Sequence, residues 1–135
     1  MTGSSGRLFT LEQAQAMLPQ VRDEIVAMQA LKGDIDDLRG ELAHVAEKAT
    51  GNGHVRSEDD IAKKRQRAED LVAQLNQRLA RINGWGIELK GLDEGLIDFP
   101  SERDGRVVYL CWRLGEERIS WWHELDTGFA SRQPL

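Results

Sequence analysis

Cys111 and His123 are the two side chains of this sequence that could form a nucleophile and its base. A thiol becomes a strong nucleophile when a base within hydrogen-bond reach takes its proton. Residues 106–114 and 118–125 alternate in polarity around Gly115-Glu116-Glu117, which predicts a β-hairpin. Both registers that we consider for this turn place Cys111 and His123 on opposite faces. We therefore expect no thiol enzyme and no catalytic residue, and we interpret Cys111 as a small, half-buried hydrophobe.

A metal site with nitrogen and oxygen ligands is the second chemistry that the residues allow. His123, Asp126 and Asp98 are the candidate ligands, with Asp93 and Glu94 nearby, because neutral imidazole and carboxylates suit zinc or manganese. No helical His-x-x-x-His pair is present, and an isolated histidine among apolar residues is more commonly a hydrogen-bonded core residue. His123 is therefore either a ligand of a divalent metal or a core residue.

Composition argues against several other classes of protein. The net charge is −5 with a pI near 5.2, so the excess of Lys and Arg that neutralises phosphates in nucleic-acid binders is absent. The one basic run, residues 63–67, is flanked by acids and is interpreted as a solvated helix face. Apolar runs of membrane-spanning length and phosphate-binding glycine loops are also missing. We expect a cytoplasmic protein that binds neither nucleic acid nor membrane.

Two long amphipathic helices are predicted in the first part of the chain. Thr10 and Gln13 form a capping-box pattern that starts a helix near Leu11, and Pro19 predicts a break at Leu18. The turn residues 50–53 and a cap at Ser57 separate this helix from a second one that ends at Asn83-Gly84. Helical spacing gives the first helix an apolar seam of Val21, Ile25, Met28, Leu31, Ile35, Leu38, Leu42 and Val45. The second helix has a seam of Ile61, Ala68, Leu71, Val72, Leu75, Leu79 and Ile82.

The two faces of the predicted hairpin differ in composition. We assign the more apolar face to the helices; it carries Val108, Leu110, Trp112, Leu114, Ile119, Trp121, His123 and Leu125. The opposite face is too aromatic to meet only water, which indicates an interaction surface or a cover formed by residues 89–99, the C-terminal tail or a second subunit. The residues predicted to form this interaction surface are Tyr109, Cys111, Arg113, Trp122 and Glu124.

These elements predict an α+β fold in which a long antiparallel, coiled-coil-like helical hairpin precedes a small antiparallel β-meander. Residues 1–8 are interpreted as a disordered leader and residues 9–135 as a single domain. Within it, residues 9–84 form the helical hairpin and residues 85–135 the meander.

Several segments of the C-terminal half resemble a known family. The most specific are residues 95–100, residues 104–116, Trp122-His123-Glu124, Gly128-Phe129 and Arg132-Gln133-Pro134. With residues 9–14 and Leu18-Pro19, the chain resembles the uncharacterised bacterial domain-of-unknown-function family numbered 2203. The resemblance implies bacterial origin, and it supplies no catalytic residue.

From the residues alone, the favoured function is a non-enzymatic module for protein interaction or oligomerisation. The alternative is a metal-binding protein or a metal-dependent enzyme centred on His123 and nearby carboxylates.

A homo-oligomer, most simply a homodimer, is the expected state. The two helices offer each other only one seam, which leaves flanking apolar residues such as Leu31, Val72 and Leu79 to be covered by a partner. Light scattering measures the mass directly. A monomer at micromolar concentration, with no dependence on concentration, would contradict this prediction.

Overall fold

The computed structural model describes residues 6–49 and 58–135. Within them, helix α1 (Leu11–Ala49) and helix α2 (Glu58–Gly84) pack against each other and precede five short strands. The strands are β1 (Glu88–Gly91), β2 (Leu96–Arg103), β3 (Arg106–Arg113), β4 (Trp121–Glu124) and β5 (Gln133–Pro134). They form one antiparallel sheet in sequence order, and a 3-10 turn (Phe129–Ser131) precedes β5. The predicted α+β architecture, a helical hairpin followed by a β-meander, is confirmed.

Some predicted features fall outside this description. The turn at residues 50–53, the cap at Ser57 and residues 1–5 of the predicted leader lie outside the described residues. Among the helices in the described ranges, none combines the length and the apolar character that crossing a membrane requires.

The capping box that starts α1 is confirmed. The backbone N–H of Gln13 donates to Thr10 Oγ1 at 3.1 Å, and the backbone N–H of Thr10 donates to Gln13 Oε1 at 3.0 Å. The preceding Phe9 is buried, donates its backbone N–H to the Pro100 carbonyl at 2.7 Å and meets the Phe99 ring edge-on at 5.2 Å. The start of α1 is thereby fixed to β2 of the sheet.

The predicted break at Leu18 is wrong, because α1 continues through Pro19. Proline inside a helix costs about 3 kcal/mol through its lost hydrogen bond and the crowding of its ring. Pro19 itself is exposed, whereas Ala14 and Leu18 before it and Val21 after it are buried in the core. Burial of apolar side chains on both sides of the proline outweighs the local penalty and keeps the two segments in one helix.

The helices and one face of the sheet enclose a single apolar cluster. The helical seam contributes Val21, Ile25 and Met28 of α1 and Ile82 of α2. The sheet contributes Ile97, Phe99, Val108, Leu110, Trp112 and Trp122. Beside the cluster, the nearly buried Glu24 carboxylate of α1 accepts hydrogen bonds from Arg78 and Arg81 of α2 at 3.1 and 2.8 Å. The two helices are therefore joined by charge as well as by apolar contact.

The register between β3 and β4 differs from both predicted registers by one residue. Tyr109 pairs with His123 and Leu110 with Trp122, so side chains of β4 point to the opposite faces from those predicted. The connection, residues 114–120, is not a tight turn, because Ile119 enters the core and its backbone is held by the Gln15 side chain. This tertiary contact lengthens the connection, and Trp122 replaces Trp121 on the face that meets the helices.

Replacing Trp112 or Trp121 by Ala should therefore lower the free energy of unfolding by different amounts. Trp112 is completely buried in the core, and its replacement by Ala is expected to lower the free energy of unfolding by about 3 to 5 kcal/mol. Trp121 is only half-buried on the other face, so Trp121→Ala is expected to cost clearly less. Urea denaturation of both variants measures the difference. Equal losses would contradict the assignment of the two faces.

Candidate functional site

Asp98, Cys111 and His123 form a buried polar cluster on the face of the sheet turned away from the helices. Asp98 of β2 is the direct cross-strand partner of Cys111 of β3, and His123 lies on the adjacent strand β4. Their relative exposures are 2%, 0% and 2%. One potential ligand atom from each residue lies within 4.8 Å of the others. Three central strands thus bring a carboxylate, a thiol and an imidazole to one point.

The structure brings together part of the predicted metal site and corrects the rest. Asp98 and His123 meet as predicted, but Asp126 lies in the exposed turn after β4, outside the cluster. Asp93 and Glu94 lie in the exposed turn between β1 and β2. Cys111 was excluded from this site by the predicted registers, and the observed register places it on the same face as His123. The prediction that the two lie on opposite faces is therefore wrong.

The hydrogen bonds of His123 determine how its ring is oriented. Nδ1 lies 2.7 Å from the Glu124 carbonyl oxygen, which can only accept, so Nδ1 carries a proton. Nε2 lies 3.1 Å from both carboxylate oxygens of Asp98. A hydrogen bond at this position requires one proton, placed either on Nε2 or on the carboxyl group. The buried Asp98–His123 pair therefore shares one proton and has no net charge in either form.

Burial raises the pKa values of Asp98 and Cys111. Desolvation raises the pKa of Asp98, and the neighbouring His123 opposes this increase. Desolvation also raises the pKa of the Cys111 thiol from 9.0 to about 12, and the adjacent Asp98 carboxylate adds to the increase. Cys111 is therefore a protonated thiol at neutral pH.

The C-terminal tail packs beside Cys111, on one side of this cluster. The Arg132 cation partly opposes the increase in the pKa of Cys111, and its guanidinium lies 4.9 Å from the centre of the Trp121 ring and 4.0 Å from that of Phe129. Arg132 Nη1 also donates to both Glu116 oxygens, at 3.1 and 2.9 Å. The Arg132 cation is thus neutralised by Glu116 and held by two aromatic rings.

The residues of the predicted interaction surface do not share one face. Tyr109, Cys111 and Arg113 point away from the helices, but the one-residue difference in register turns Trp122 and Glu124 towards the opposite side. Trp122 is only 7% exposed and belongs to the core. Glu124 accepts two hydrogen bonds from Arg106, at 2.9 and 2.6 Å. This set therefore does not form one continuous surface.

The cluster is not arranged for nucleophilic catalysis. Both ring nitrogens of His123 are already engaged, one by the Glu124 carbonyl and the other by Asp98. The pKa of the Cys111 thiol is raised, whereas nucleophilic cysteines have a lowered pKa. The same three side chains, once deprotonated, are suitable ligands for a metal ion.

Cys111 should resist thiol reagents in the folded protein. An increase in pKa from 9.0 to about 12 reduces the thiolate at pH 8 by about 1000-fold. Labelling with a chromogenic disulfide should therefore be slow in buffer and complete in urea. Rapid labelling of the native protein at pH 8 would contradict the raised pKa.

The raised pKa of Cys111 also makes the free energy of unfolding depend on pH in the alkaline range. Because the folded-state pKa of Cys111 lies above the unfolded value, the folded state holds its proton more tightly. This contribution is complete below about pH 9 and is lost as the pH rises towards 12. Denaturation at a series of alkaline pH values should show a smaller decline for Cys111→Ala than for the native chain.

The comparisons with known proteins give a family and no established activity. Neither the curated proteins nor the solved structures include a match to this chain. Residues 7–135 match a family described as an uncharacterised conserved protein, DUF2203. The match covers the capped helical hairpin, the whole sheet and the tail, including Asp98, Cys111 and His123. The chain belongs to the DUF2203 family.

Proposed function

We propose that this protein binds one divalent transition-metal ion, with Zn²⁺ as the best fit, through Asp98, Cys111 and His123. The observation that carries the proposal is the convergence of a carboxylate, a thiol and an imidazole in one buried cluster, with ligand atoms within 4.8 Å of one another. Carboxylate, thiolate and imidazole are all common ligands of zinc, and a site with a thiolate favours zinc over manganese.

The charge balance of the cluster supports a divalent ion. Without metal, the thiol is neutral and the Asp98–His123 pair holds one shared proton. Binding a metal ion to all three side chains releases the thiol proton and the shared proton. The remaining thiolate and carboxylate carry two negative charges, which a divalent cation neutralises. The exchange of two protons for one divalent ion therefore leaves this buried cluster without net charge, as burial requires.

The orientation of His123 also supports a metal ligand. Its Nδ1–H donates to the Glu124 carbonyl, which leaves Nε2 facing Asp98 and Cys111. Histidines that bind metals commonly donate their other N–H to a backbone carbonyl or a carboxylate in this way. In a tetrahedral zinc site the ligand atoms would be separated by about 3.5 Å, given Zn–N and Zn–S bonds of about 2.0 to 2.3 Å. The 3.1 Å separation of Nε2 from the Asp98 oxygens is close to that value.

Calorimetric titration of the metal-free protein with Zn²⁺ tests this proposal. We expect one ion per chain and the release of about two protons, measured by repeating the titration in buffers with different ionisation enthalpies. The apparent affinity should rise by up to about 100-fold per pH unit while both protons are still bound. Co²⁺ provides an optical readout, because a Co²⁺–thiolate bond absorbs in the near ultraviolet.

Matched variants identify the ligands. Cys111→Ser, His123→Gln and Asp98→Asn should each weaken binding at least tenfold, and Cys111→Ser should abolish the Co²⁺–thiolate band. Asp126→Asn is the control, because this exposed residue lies outside the cluster and should bind metal like the native protein. Circular dichroism and tryptophan fluorescence verify that each variant is folded. The absence of stoichiometric binding, or equal binding by the folded cluster variants, would overturn the proposal.

Self-association through the helical hairpin is a second proposal, supported by the exposure of its seams. Towards the far end of the hairpin, Leu38, Leu42 and Val45 of α1 and Ile61 and Ala68 of α2 are only partly buried. A second copy, or another protein, would cover them.

We propose that the protein is located in the cytoplasm, because its one thiol is free and buried and a reducing compartment suits a free thiol.

A further inference from the structure

A small cavity lies beside the buried cluster on the same face of the sheet. It has a volume of about 230 Å³ and is lined by Glu94, Leu96, Arg113 and Phe129. Leu96 and Arg113 are cross-strand partners, each two residues from Asp98 or Cys111 on the same strand. Residues two apart on a strand are about 6.5 to 7 Å apart and point the same way. The cavity therefore adjoins the cluster without including any of its three side chains.

Two opposite charges border this cavity without neutralising each other. In the described part of the chain, neither Glu94 nor Arg113 takes part in an ion pair. Their charged neighbours do, since Asp93 is bound by Lys32 at 2.8 Å and Glu116 by Arg132 at 2.9 Å. Both side chains are exposed, so one carboxylate and one guanidinium remain available to a ligand in the same cavity.

The walls of the cavity are apolar and well supported. The Phe129 ring is close to two guanidinium groups, 5.7 Å from that of Arg113 and 4.0 Å from that of Arg132, and Leu96 is half-buried. Gly91 leaves space for the Glu94 carboxylate, because a Cβ atom at position 91 would collide with Glu94 Oε2. The cavity therefore combines an apolar wall with two opposite charges on exposed side chains.

We propose that this cavity binds a free α-amino acid with an apolar side chain. Glu94 accepts hydrogen bonds from the ammonium group, Arg113 donates to the carboxylate, and the side chain packs on Leu96 and Phe129. The volume is below the usual range for drug-sized ligands, about 300 to 1,000 Å³, and favours a ligand of this size. A simple anion or a simple cation would pair with only one of the two charges, whereas a free amino acid carries a partner for each. This inference does not depend on metal binding at the cluster.

Titration with L-leucine, followed by heteronuclear NMR on the whole chain, tests this inference. We expect saturable binding of one molecule, with shifted signals at residues 94–96, 113 and 129. Arg113→Gln and Glu94→Gln should each weaken binding at least tenfold. Glu117→Gln and Arg118→Gln remove the same charges from exposed positions in the connection after β3 and should bind leucine like the native protein.

Two leucine analogues test each charge separately. 4-Methylpentanoate lacks the ammonium group, so its binding should be weakened by Arg113→Gln and unaffected by Glu94→Gln. 3-Methylbutylamine lacks the carboxylate and should show the reverse pattern. All titrations are done on metal-free and Zn²⁺-treated protein, so failure to bind zinc and failure to bind leucine are separate results. No saturable leucine binding, or no effect of either cavity variant, would overturn the inference.

Discussion

The pairing of Tyr109 with His123 across β3 and β4 decides which side chains of β4 enter the core and which join the polar cluster. This register directs Trp122 into the core and His123 to the other side, where it meets Asp98. A shift by one residue would bury His123 against the helices and expose the Trp122 ring, because side chains alternate along a strand. The place of Trp122 in the core and the place of His123 in the polar cluster are therefore set by the same alignment.

Charge neutrality is what allows the cluster to be buried. An isolated carboxylate with an exposure of 2% would be strongly destabilised. Asp98 avoids this because it shares a proton with His123 and lies beside a Cys111 thiol that stays neutral. The neighbouring guanidinium of Arg132 is likewise neutralised by Glu116. The charges in and beside the cluster are thus paired locally.

Local sequence signals predict most of the helices and strands. Tertiary contacts determine the features that these signals do not predict. The capping box at Thr10 and Gln13 depends on residues three apart, so it was readable from the sequence and is confirmed. The continuation of α1 through Pro19 depends on burial of side chains on both sides of it, which no local rule contains.

Predicting the candidate site requires the register between β3 and β4, which local sequence does not give. The segment that leads into β4 is anchored at Ile119 by Gln15, 104 residues away along the chain. No turn rule predicts such a contact, and Cys111 was therefore assigned to the wrong side relative to His123. Asp98 and His123 could be selected by residue type alone, whereas recognising Cys111 as their neighbour required the three-dimensional register.

The C-terminal tail packs on the face of the sheet that carries the cluster, and the helices occupy the other face. The tail is held by the two-residue strand β5, by the bond from the Leu135 N–H to the Ser120 carbonyl and by Arg132. The Arg132 and Glu116 side chains are 15% and 25% exposed, so this partly buried ion pair is screened less by solvent than a surface pair. The guanidinium of Arg132 also packs on the Phe129 wall of the neighbouring cavity. Arg132 is therefore a side chain that the surroundings of Cys111 and the cavity have in common.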